Sequence, residues 1–102
     1  MKLLLITTIA AFTSEVKQIL KKAQVTTYSY RDVMGYKIGA DASLETNWFG
    51  SEQHETESVL FYAFVPKEHT DTVCDAVAAF NAQQETMSHI HVAVLAIEKT
   101  NN

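Results

Sequence analysis

Val59-Leu60-Phe61-Tyr62-Ala63-Phe64-Val65 is apolar at odd and even positions alike, and Pro66 ends the run. A short continuous apolar stretch with such a stop reads as a β-strand covered on both faces. Downstream, Val73, Ala76, Val77 and Phe80 recur at helical spacing, with Asp71 and Asp75 near the expected helix start. Ile90-His91-Val92-Ala93-Val94-Leu95-Ala96-Ile97 then gives another strand. Upstream, Leu3 to Ile9 is a strand of the same apolar kind, with Thr7 and Thr8 compatible with it. Thr13 or Ser14 offers an N-cap for a helix reaching about Gln24, whose inner positions are Val16, Ile19, Leu20 and Ala23, with Lys17, Lys21 and Lys22 outside. Val25 to Met34, rich in Thr and Tyr, completes the set as a strand.

The two halves are related. A shift of 57 positions lays Leu3 on Leu60, Val16 on Val73, Ile19 on Ala76 and Leu20 on Val77. A β-α-β unit used twice predicts an α+β, ferredoxin-like βαββαβ fold: a four-stranded antiparallel sheet with two helices on one face. Helices on one side cover only half of the strand residues, so the other face is left bare. Covering even about 500 Å² of it at roughly 25 cal/mol per Å² favours association by about 12 kcal/mol before the entropic cost of assembly. The expectation is an obligate homo-oligomer built sheet against sheet.

At 102 residues the chain is expected to be a single domain, 1–102. Its eight Lys and Arg, clustered nowhere beyond Lys21-Lys22, lack the basic footprint that phosphate backbones demand, which argues against nucleic acid. The lone Cys74 forms no disulfide framework and fits a reducing compartment. Met1 to Phe12 looks superficially like a signal peptide, but its cleavage would delete the first strand, so a cytoplasmic protein without membrane insertion is expected.

The charge is localised. Between Gly35 and Glu57 stand Asp41, Glu45, Glu52, Glu55 and Glu57 against Lys37 alone, which accounts for the whole net charge of −4, and all three glycines lie there too. A loop of that length in so small a domain points to function.

Val25-Thr26-x-x-x-Tyr30-x-Asp32-Val33-x-Gly35, followed by a long loop and by a strand closing in Val65-Pro66, resembles the PII signalling family (the nitrogen regulatory protein PII superfamily). The resemblance implies a homotrimeric signal-transduction regulator. It also implies that segment 35–57 is a T-loop, which contacts a transporter or enzyme under control of a small ligand, typically an adenine nucleotide, held between subunits. Family members that hold ATP use a Gly-rich, basic turn before the last strand. Here Asn81-Ala82-Gln83-Gln84-Glu85-Thr86-Met87-Ser88 has no glycine and no base, so any adenine nucleotide is expected to bind without the usual phosphate-binding loop.

Within this frame Gly35, Lys37 and Gly39 are the expected ligand-binding residues at the loop root, an anion meeting Lys37 and glycine amides, with Lys99 adding a second charge. Trp48 and Phe49, large aromatics in a polar acidic loop, are the expected anchors for a protein target with a basic surface. His89 and His91, two apart on one expected strand, share a face and with His54 would form a divalent-metal site. That is the rival reading, a trimeric metal-binding protein resembling the CutA family. No nucleophile, base and acid are brought together by spacing, so the chain is not expected to be an enzyme.

Overall fold

The computed structural model describes residues 1–36 and 55–101. The elements are β1 (Lys2–Ile9), α1 (Thr13–Lys22), β2 (Ser29–Tyr36), β3 (Glu55–Val65), α2 (Lys67–Ala82) and β4 (His91–Ala96). The four strands form one antiparallel sheet in the order β2-β3-β1-β4. This is the ferredoxin-like α+β arrangement expected from the repeated β-α-β unit.

One side of the sheet is packed. Leu4 and Ile6 of β1 and Val59, Phe61, Ala63 and Val65 of β3 are buried. Val16 and Leu20 of α1 and Val73 and Val77 of α2 join them in a single core. The repeat is visible in that core, since Val16 and Val73, and Leu20 and Val77, are equivalent buried positions. Phe12 and Phe80 meet edge to face with centroids 5.0 Å apart, tying the entry of α1 to the end of α2.

Several element boundaries differ from the sequence reading. Neither Thr13 nor Ser14 caps α1: a 3-10 turn, Ala10–Phe12, leads into the helix, and the Thr13 hydroxyl donates to the Ala10 carbonyl at 2.7 Å instead of accepting from the helix. Strand β2 starts at Ser29, not Val25, because Val25 belongs to the end of α1. The Val25 amide donates to Leu20 O at 2.9 Å and the Gln24 amide to Lys21 O at 3.0 Å, the bond pair of a Schellman motif, with Gln24 left-handed at φ 64°. The apolar Val25 is buried without being in a strand.

Strand β3 begins four residues before its apolar run, at Glu55, because Glu55 to Ser58 pair with Val33 to Tyr36 of β2. Helix α2 begins directly after Pro66, so Asp71 and Asp75 fall in its second and third turns, and Glu68 is the acid of its first. Strand β4 runs only from His91 to Ala96, alongside Thr7 to Lys2 of β1. The backbone of Ile90 is bonded instead by the Asn81 side chain: Nδ2 donates to Ile90 O, and the Ile90 amide donates to Oδ1, both at 2.8 Å.

Candidate functional site

Strands β2 and β3 stay paired to the limit of the described residues, Gly35 beside Thr56 and Tyr36 beside Glu55. Gly35 is buried within the ladder, while Glu55 and Glu57 on the opposite strand are exposed. Lys37, Gly39, Trp48, Phe49 and His54 lie outside the described residues. The turn between α2 and β4 reaches the same end of the sheet, where the Thr8 hydroxyl donates to His89 O at 3.1 Å.

Lys99 is at the other end. It follows β4, whose last residue Ala96 pairs with Lys2, which in turn pairs with Val65; Thr56, beside Gly35, is nine positions back along β3. At about 3.3 Å per strand residue, Gly35 and the start of the chain's last segment are separated by roughly 30 Å. Within one chain, Gly35 and Lys99 are therefore not brought together. The same distant end holds a cavity of about 220 Å³ between the segment Gln24 to Thr27 and Phe64, Val65, Pro66 and His69.

The histidine spacing does not survive the strand boundary. His89 precedes β4 and so is not held to the two-residue alternation, whereas His91 lies in the strand beside Thr7. Among the described residues no three His, Cys, Asp or Glu gather closely enough to hold a metal ion. Burial, followed by the carboxylates of Asp71 and Asp75, pushes the Cys74 thiol above its ordinary pKa, the opposite of an activated nucleophile.

The face of the sheet away from the helices is open, apolar in its first two rows across β4, β1 and β3, with Ser29 and Arg31 of β2 along its edge. Registers place Leu95, Leu3 and Phe64 in one row, Ala93, Leu5 and Tyr62 in the next, and His91, Thr7 and Leu60 in the third. Phe64 is 58% exposed, and Tyr62 and Leu95 are each 40% exposed. The run that opened the sequence reading is thus covered on its helix side only. The Thr7 hydroxyl on this open face is enclosed by its neighbours and has no hydrogen-bond partner among the described residues.

One constellation escaped the sequence reading. Lys17, taken as solvated, donates from Nζ to the Tyr30 hydroxyl at 2.9 Å and lies 4.5 Å from the centroid of that ring. Tyr30 stacks on Phe61 at 4.9 Å, and Tyr28 packs against both rings. Nothing in the local sequence announces a contact that spans 13 positions; only the packing of α1 over the sheet creates it.

No protein-family model and no curated protein matches the sequence. The structure does have a counterpart: CPII, a nitrogen regulatory PII-like protein from Thiomonas intermedia K12, determined bound to ADP, AMP and bicarbonate. The two superpose with a TM-score of 0.63 over 97% of this chain and 93% of that one, at 17% sequence identity. The fold is PII-like. The paired ends of β2 and β3 border residues 37–54, and the open sheet face carries the exposed Phe64, Tyr62 and Leu95. No described helix is long and apolar enough to cross a membrane.

Proposed function

We propose that the chain is a PII-like signal-transduction regulator, not an enzyme. It works in the cytoplasm as a homotrimer whose acidic T-loop docks a target protein under control of a small effector bound between subunits. The observation that carries this reading is the separation of the site's parts. The loop root at Gly35 lies about 30 Å along the sheet from the Gln24–Thr27 cavity and from Lys99. Complementary halves at opposite ends of one chain are joined when a second copy brings its far end to the first copy's near end. Such head-to-tail contacts give a ring of three where the rotation between copies is a third of a turn. The open face supplies the apolar surface that would hold the ring together.

The effector class is supported by the PII-like neighbour, which was determined bound to ADP, AMP and bicarbonate. An adenine nucleotide would place its base in the cavity beside Thr26 and Phe64 and its anionic end toward Lys37 and the amides of Gly35 and Gly39 on the next copy, with Lys99 beside it. Binding would shift the population of T-loop conformers by no more than its differential affinity for them, presenting or withdrawing Trp48 and Phe49. Three loops acting together would add avidity to modest individual contacts.

Sedimentation velocity and titration calorimetry with AMP, ADP and bicarbonate test the proposal. The expected result is one species of three chain masses, with nucleotide binding weakened about tenfold by Lys37→Ala, the loss of one charge-assisted contact. A single-chain species at micromolar concentration would overturn the intersubunit site. Undiminished capture of a target by the Trp48→Ala, Phe49→Ala variant would overturn the docking role.

A further inference from the structure

On the helix side of the sheet, a groove of about 390 Å³ runs between α1 and the entry to β2, lined by Lys17, Gln18, Lys21, Val25, Thr26 and Tyr28. In a chain of net charge −4, this lining contains two cations and no carboxylate. Lys17 and Lys21 are one helical turn apart on the same face, an arrangement of like charges that opposes helix formation by a few tenths of a kcal/mol until an anion lies between them. No acid among the described residues neutralises either lysine. The hydrogen bond to Tyr30 holds the Lys17 ammonium in place and raises its pKa, so it stays charged. One N–H is used in that bond, and two remain for an incoming acceptor.

The apolar part of the lining is anchored in the core. Tyr28 lies 5.7 Å from Phe61 and 6.4 Å from Tyr30, centroid to centroid, and Phe61 is fully buried. Val25 beside it belongs to the core and is fixed by its bond to Leu20. The apolar parts of Tyr28 and Val25 thus share one space, of the size small-ligand sites have, with Lys17, held by its bond to Tyr30, and with the exposed Lys21. The Thr26 hydroxyl and the Gln18 amide add neutral polar groups within the same lining.

We propose that this groove is a ligand site of its own, adjoining the intersubunit one at Val25 and Thr26, selective for a small molecule that carries an oxyanion group on a planar ring. The ring lies against Tyr28 and Val25, and the oxyanion is held between Lys17 and Lys21. An aryl phosphate and an aromatic carboxylate share this chemistry, and the phosphate binds more tightly because its second charge meets the second lysine. Lys17, Gln18 and Lys21 belong to α1, on the helix side of the sheet, whereas Val25 and Thr26 also line the cavity that a second copy would approach.

The test is an NMR titration of the 15N-labelled full chain with phenyl phosphate and benzoate, using cyclohexyl phosphate and inorganic phosphate as ringless counterparts. Both aromatic anions are expected to shift the amides of Lys17 to Lys21 and of Thr26 to Tyr28, phenyl phosphate at the lower concentration, while the ringless anions leave them in place. Lys21→Met, at an exposed position that retains the helix-forming stem, is expected to weaken phenyl phosphate about tenfold, as is Lys17→Met. The spectrum of each variant reports its folding directly. Absence of shifts at these amides up to about 10 mM ligand, equal responses to inorganic phosphate, or parental affinity in the Lys21→Met variant would each overturn the proposal. Lys17, Gln18 and Lys21 line this groove and not the cavity of about 220 Å³, so shifts at their amides separate this site from the nucleotide reading, whose cavity shares Val25 and Thr26.

Discussion

Gln24 carries the turn that converts α1 into the approach to β2, and it does so in a conformation that suits another residue. Its φ of 64° is left-handed, and the position is the one after the cap of a Schellman motif, where glycine is the usual occupant. For a residue with a Cβ this region costs about 1–2 kcal/mol, part of which glycine gives back through its freer unfolded chain. Gln24→Gly is therefore expected to raise the unfolding free energy by about 0.5–1 kcal/mol, read as a higher urea midpoint at unchanged slope. A lower midpoint would show that the glutamine side chain contributes more than the backbone strain removes. This residue also explains why β2 was placed too early from sequence. Val25 is apolar and β-branched, which suggests a strand, yet its amide closes the helix and its side chain fills the core beneath Leu20. Propensity describes the residue correctly and misplaces it, because a cap and a strand can draw on the same side chain.

At the scale of elements, the link between α2 and β4 rests on one side chain. Asn81 grips both the amide and the carbonyl of Ile90 across a turn that contains no glycine, and Ile90 is itself 2% exposed. Asn81→Ala leaves two buried backbone groups unpaired, so a loss of about 2–3 kcal/mol is expected in urea denaturation. The Ile90 amide should become one of the faster-exchanging hydrogens of the sheet. Retained protection at Ile90 would mean that water or another group replaces the asparagine. The elements themselves were legible because the repeat aligns their inner faces: Val16 with Val73 and Leu20 with Val77 fall at the same depth in the core. Their ends were less so. Glu55, Thr56 and Glu57 are strand residues by virtue of the opposite strand, and no property of those three side chains declares it. His91 alone of the proposed histidine pair is in β4, since the ladder with β1 begins at Thr7 and the asparagine clasp takes the residue before it. The Lys17–Tyr30 contact was hidden for the same reason, being a product of how a helix and an edge strand meet.

For the whole molecule, the decisive quantity is the apolar face that folding leaves open. Phe64 and Leu95 flank Leu3 in one row, so a charge at each would border the centre of any sheet-to-sheet contact without disturbing the helix-side core. Both side chains are exposed in the single chain, where a lysine costs little. In an assembly they would be buried, and an unpaired buried cation costs several kcal/mol, enough at two positions per copy to outweigh what the entropic cost of assembly leaves of the roughly 12 kcal/mol that covering about 500 Å² supplies. Folding and assembly therefore respond differently to the same change. The Phe64→Lys, Leu95→Lys variant is expected to keep the parental far-ultraviolet circular dichroism while sedimenting as one chain mass where the parent sediments as three. Should both sediment as trimers, the ring closes through another surface and the open face must serve a different partner. Should the variant lose its secondary structure as well, the monomer has no stability of its own, and assembly is part of folding in this protein.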